Sequence, residues 1–172
     1  TVIGGQPKSI TIKYDPSGNI IWQKFYDSTP DNRSIGVGID QQGFIYIAGT
    51  ANKNGIDWGV EVVKYNPANG DTIWTARYDQ TSSSIDIPYA MTVDYSGNVY
   101  VTGYSQAAGI IKAMLIKFNS IGQLQWETLY NIPSVTGDIQ GRAIDVDSDG
   151  NVYVAGHCYN GQATFVDFLI LK

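Results

Sequence analysis

From Val99 to Thr102 the chain sets Val99 and Val101 on one side and the semi-apolar Tyr100 and Thr102 on the other. Successive strand residues point to opposite faces, so this pattern predicts a strand in a sheet covered on both sides. Its neighbours read as further strands, giving about 88–94 (a), 98–104 (b), 111–118 (c) and 123–130 (d), all rich in Val, Ile, Tyr and Trp. The a–b junction is Asp94-Tyr95-Ser96-Gly97 and the c–d junction is Asn119-Ser120-Ile121-Gly122. Asp or Asn opens each turn and glycine supplies a positive φ, which is hairpin chemistry.

The same pattern returns along the chain. Segments 39–49, 93–103 and 146–156 align without gaps, each with an inner glycine (Gly43, Gly97, Gly150) and a closing one (Gly49, Gly103, Gly156). The closing glycines lie 54 and 53 residues apart. Trp22, Trp74 and Trp126 are spaced by 52 and each follows a glycine (Gly18, Gly70, Gly122) by four. Lys13-Tyr14, Lys64-Tyr65 and Lys117-Phe118 precede those glycines, with Lys172 in register as a fourth start. A period of about 53 residues that holds four short strands and no helix predicts an all-β protein of β-propeller blades, each a four-stranded antiparallel sheet. Gly36, Ala90 and Ala143 share one register in strand a, as an innermost strand crowded near a ring axis requires.

The string Val-Asp-x-x-Gly-Asn-Val-Tyr-Val-Thr/Ala-Gly, followed by Lys-Phe/Tyr-Asn-x-x-Gly-x-x-x-Trp, resembles the bacterial SBBP repeat, named for seven-bladed propellers. The resemblance spans nearly the whole chain. It implies an extracellular or cell-surface setting in an exported bacterial or archaeal protein, and no particular activity. One departure is that the Asp starting strand c in that family is matched by Asp167 alone, with Lys8, Gly59 and Lys112 in the other copies.

The chain thus reads as one propeller segment over 1–172. It comprises strands c–d of a partial blade (8–26), two blades (34–78 and 87–130) and strands a–b–c of another (141–172). That is an incomplete ring of about three blades, where closure takes about four to eight. The expectation is that missing sequence of a longer chain, or a second copy in a homodimer, completes it. The start at Thr1, without an initiator Met or signal peptide, reads as a trimmed piece or mature product.

Composition narrows the partners. A net charge of -5 and a pI near 4.6 argue against nucleic acid or an anionic membrane, and no apolar run reaches the length of a membrane span. A single cysteine, Cys158, rules out an intrachain disulfide.

Motifs that suggest chemistry find structural explanations. Asp145-x-Asp147-x-Asp149-Gly150 resembles half a calcium loop, but Gly156 stands where a bidentate Glu belongs and the repeat aligns it with an ordinary hairpin. His157 and Cys158 are adjacent and so point to opposite faces of a strand, which is wrong for a base and its nucleophile. The periodic tryptophans read as inter-blade packing positions rather than a sugar platform. No cofactor and no metal site is expected.

The a–b and c–d turns are short and nearly identical. The b–c loops (about 50–58, 104–110, 157–165) and d–a loops (about 27–34, 79–87, 131–141) are longer and share no pattern. These two sets emerge at opposite ends of a propeller, and binding residues sit on variable loops held by a rigid scaffold. The candidate binding face is therefore Asp27, Asp31, Arg33, Asp57, Trp58, Asp86, Tyr104, Asp138, His157 and Tyr159. The expected function is a non-catalytic binding scaffold that engages a protein or glycan. The alternatives are a hydrolase or lyase using loop carboxylates such as Asp57 and Asp86, and a purely architectural repeat of a surface assembly.

Overall fold

A computed structural model describes residues 2–3, 6–7, 9–26, 31–52, 57–132, 137–159 and 166–171, with the backbone alone at 2–3, 6–7, 31 and 166–171. The described residues form strands and turns and no helix. A short hairpin, β1 (Val2–Ile3) and β2 (Gln6–Pro7), precedes the pair β3 (Ser9–Tyr14) and β4 (Ile20–Tyr26). A four-stranded meander follows: β5 (Asp31–Ile39), β6 (Ile45–Asn52), β7 (Trp58–Tyr65) and β8 (Thr72–Tyr78). The second meander is β9 (Ile85–Val93), β10 (Val99–Ala107), β11 (Ile110–Phe118) and β12 (Leu124–Tyr130). Last come β13 (Ile139–Val146), β14 (Val152–Tyr159) and β15 (Val166–Leu171). Each sheet is antiparallel within itself, and one parallel bridge, Trp58 to Ile85, links the two meanders.

The core lies between sheets. Tyr46, Ala48, Val60 and Val62 of the first meander meet Val99, Val101, Met114 and Ile116 of the second, all fully buried. Trp22 closes on Ile45, Val63 and Tyr65 from the other side, and Ile139 with Cys158 closes on Ala113. The two meanders are thus apolar on both faces, and each such buried side chain contributes ~1.5–3 kcal/mol. The innermost strands press together, since a side-chain carbon at Gly36 of β5 would lie 2.8 Å from Met91 of β9.

The strands are longer than the hydrophobic pattern predicts. Where a loop is expected at 104–110, β10 and β11 stay paired to Ala107 and Ile110 and turn on Ala108-Gly109, with φ of 51° and 79°. Two successive positive φ values make a two-residue hairpin that continues the ladder and satisfies its backbone groups. Likewise β5, β9 and β13 begin at Asp31, Ile85 and Ile139, inside the expected d–a loops.

Candidate functional site

At the end bearing the short turns, each recurring position has a structural task. Asp94 accepts the backbone N–H groups of Ser96 and Asn98 on one oxygen (both 2.9 Å), and the Asn98 amide and Tyr100 hydroxyl on the other (2.7 and 3.1 Å). Asp147 repeats this with Asp149, Asn151 and Tyr153, and Asp40 with Gln42, Phe44 and Tyr46. The carboxyl of Asp147, the centre of the calcium-like string, is held below its ordinary pKa, chiefly by the Asn151 side chain. Lys64 lies 4.3 and 4.8 Å over the Phe44 and Tyr46 rings and 3.8 Å from Asp40. Near the axis this end holds a cavity of about 330 Å³ lined by Asp40, Asp94, Asp145 and Asp147, a wholly acidic set of charges.

The opposite end is built on a repeated irregularity. Strand pairing slips between Ser34 and Gly36, at Pro88–Ala90 and between Gly141 and Ala143, leaving Ile35, Tyr89 and Arg142 as the extra residue of a β-bulge. The closing glycines sit opposite: a Cβ at Gly49, Gly103 or Gly156 would collide with the carbonyl of Arg33, Ile87 or Gln140. This close approach explains the glycine in mid-strand. Bulges re-aim side chains, and here one invariant backbone device presents three different side chains.

Around the middle bulge the structure gathers several predicted residues. Arg33, Trp58 and Tyr104 line a cleft of about 380 Å³ between the two meanders, with Ile35, Thr50, Ile87 and Tyr89. The Arg33 guanidinium is 5.8 Å from the Trp58 ring, Tyr89 and Tyr104 are 5.7 Å apart, and the Arg142 guanidinium stacks 3.9 Å over Tyr89. Thr50 shares the strand face of Tyr46 and Ala48, toward the second meander, and its buried hydroxyl has no hydrogen-bond partner among the described residues.

The other candidates lie apart. Asp27 is outside the described residues, and at Asp31 only backbone is described. Asp57 accepts from Arg77 at 3.4 Å, within a network where Arg77 also clasps Asp79 at 2.7 and 2.8 Å. Asp86 is fully buried and accepts from the Gln80 N–H and the Ser84 hydroxyl. Asp138 and Tyr159 are exposed, joined through backbone. His157 is half-buried, and burial, with Arg142 nearby, holds its pKa below the ordinary value. Sequence reasoning missed Tyr89 and Arg142; the mid-strand glycine opposite each bulge was the signal that marked them.

Stacked antiparallel meanders with this register define a β-propeller repeat protein. A model of the SBBP beta-propeller repeat matches residues 73–110 and 125–158, so these two segments are similar to that repeat. An uncharacterized WD repeat-containing protein of Acanthamoeba polyphaga mimivirus is 23% identical over 194 residues, covering 87% of this chain. The chain spans 14% of that protein's length. A crystal structure of a protein of unknown function from Bacteroides caccae superposes with a TM-score of 0.50 at 14% identity, over 94% of this chain and 58% of that one. That likeness concerns fold alone.

Proposed function

We propose that the chain is a non-catalytic binding scaffold, engaging a protein or glycan through the end of the blades that bears the bulges. The observation that carries this reading is the cleft where the exposed Arg33 and the half-buried Trp58 and Tyr104 converge. At the other end the turn carboxylates are occupied by their own hairpins. Asp57 and Asp86, the acids considered for hydrolysis, are engaged by Arg77 and by Gln80 with Ser84. A glycan and protein array probed with the wild type and with Trp58→Ala and Tyr104→Ala tests the reading: hits should vanish in both variants, and retained binding rejects this site.

The family resemblance supports an exported or cell-surface setting, and protease treatment of intact source cells should then cleave the protein. Ring completion by further sequence or by a second copy is supported by the edges. Gly70 and Gly122 are each covered by the tryptophan of the preceding sheet, whereas Gly18 has no such cover among the described residues and Trp126 is 37% exposed. Sedimentation separates the two sources. A tight dimer indicates a second copy, and an easily unfolded monomer indicates further sequence.

A further inference from the structure

The residues gathered at the bulges point to a ligand class for the cleft, an inference that rests on the binding reading above. The protein is acidic overall and carries three arginines. Arg77 is committed to Asp79 and Asp57. Arg33 and Arg142 both lie on innermost strands at the same end and against aromatic rings of this cleft, and Arg142 also donates to Gln140 Oε1 at 2.8 Å. A guanidinium stacked on a ring keeps its N–H edge directed outward, the geometry that grips a carboxylate with two parallel hydrogen bonds.

Between these cations lie Trp58, Tyr89 and Tyr104, none fully buried. Half-buried aromatic rings lining a cleft favour a flat ligand with apolar patches, and a sugar ring has them. The cleft's size of about 380 Å³ is at the small end of ligand sites and suits a short saccharide. The acidic cavity at the far end of the axis would repel the same ligand.

We propose that this cleft binds a carboxylate-bearing saccharide, with sugar rings on Trp58 and Tyr89 and one uronate carboxylate on each of Arg142 and Arg33. Two guanidiniums flanking an aromatic floor favour this over an acidic peptide, whose backbone would leave the ring faces unused.

The test is calorimetric titration with trigalacturonate, its neutral galactose counterpart and hexaglutamate. Trigalacturonate should bind, and more weakly as salt rises. The neutral trisaccharide, and the acid trisaccharide with Arg142→Gln, should each bind about tenfold more weakly, as loss of one charge-assisted pair implies. Arg142→Lys should fall between, and serves if the glutamine variant does not fold. Absence of trigalacturonate binding, equal affinity for the neutral sugar, an unchanged Arg142→Gln affinity, or tighter binding of hexaglutamate would each overturn the proposal. Array hits lost in Trp58→Ala alongside any of these results would leave the broader binding reading standing, so the two fail separately.

Discussion

Trp74 donates its indole N–H to the carbonyl of Ser120 in the following sheet, 3.1 Å away. Trp22 does the same to Pro67 at 3.2 Å. The glycine of the receiving turn, Gly122 or Gly70, lies directly against the donor's ring. The tryptophan and the glycine that recur in one period are thus partners across two blades, and the repeat encodes its own stacking.

This coupling predicts different costs for one substitution at equivalent turns. Gly18 and Gly122 have φ of 84° and 82°, so alanine at either costs ~1–2 kcal/mol in backbone strain. At Gly122 the new carbon would also lie 2.9 Å from the Trp74 ring, whereas at Gly18 it meets nothing within 4 Å. Overpacking adds ~1–3 kcal/mol. Denaturant midpoints should therefore fall clearly further for Gly122→Ala than for Gly18→Ala, and equal losses would refute the inter-blade contact.

How far the sequence revealed this architecture depends on what each feature repeats. Tryptophans, turn glycines and Asp-Tyr pairs recur in every blade because each blade solves the same packing problem, so period alone exposes them. The cleft is different. Ile35, Tyr89 and Arg142 share a register and no chemistry, and a site whose residue changes from copy to copy leaves no motif. Strand length was hidden for a similar reason, because Ala108-Gly109, which turns the β10–β11 ladder, has no counterpart in the sequence of the other copies. Asp57 and Asp86 looked like free loop acids only because Arg77 and Ser84 are placed beside them by folding.

The bulge itself should depend on the closing glycine. Alanine at Gly103 would drive its methyl into the Ile87 carbonyl, and the backbone cannot yield without losing the bulge. A destabilisation of about 2–3 kcal/mol is expected. Amide exchange should quicken around Tyr89 in particular, and a uniform change across the sheet would argue against a local bulge.

The Asp-Tyr locks differ in burial and so in worth. Tyr46 is fully buried and donates to Asp40 at 2.9 Å, whereas Tyr153 is 36% exposed and donates to Asp147 at 3.0 Å. Tyr46→Phe leaves a buried carboxylate short of a donor and should cost ~1–3 kcal/mol. Tyr153→Phe lets water take the vacated place, so its melting curve should barely move.

Arg77 ties three segments at once, clasping Asp79, reaching Asp57 and donating to the Ala51 carbonyl at 2.9 Å, with its side chain 15% exposed. Lysine keeps the charge and loses the planar fork. Arg77→Lys should therefore destabilise by about 2–3 kcal/mol, since partners of a mostly buried pair are left poorly matched. Stability unchanged by that substitution would mean that charge alone holds Asp57 and Asp79.

His157 makes stability fall on mild acidification. Burial first, and then the nearby Arg142 charge, lower its pKa in the folded state, with Asp138 opposing. A lowered histidine pKa means that the unfolded chain, titrating near 6.5, takes up its proton first. Above about pH 7 both states are neutral and the residue contributes no pH dependence. As pH falls through 6.5 toward the folded-state value, proton uptake favours unfolding, and the loss is complete once both states are charged. Denaturant midpoints of the wild type should drop between pH 7.5 and 5.5 by more than those of His157→Gln, in which carboxylate effects persist and this one is gone. Arg142→Gln should shrink the same difference without abolishing it, because burial remains. Identical pH profiles for wild type and His157→Gln would show that His157 titrates as it does in the unfolded chain.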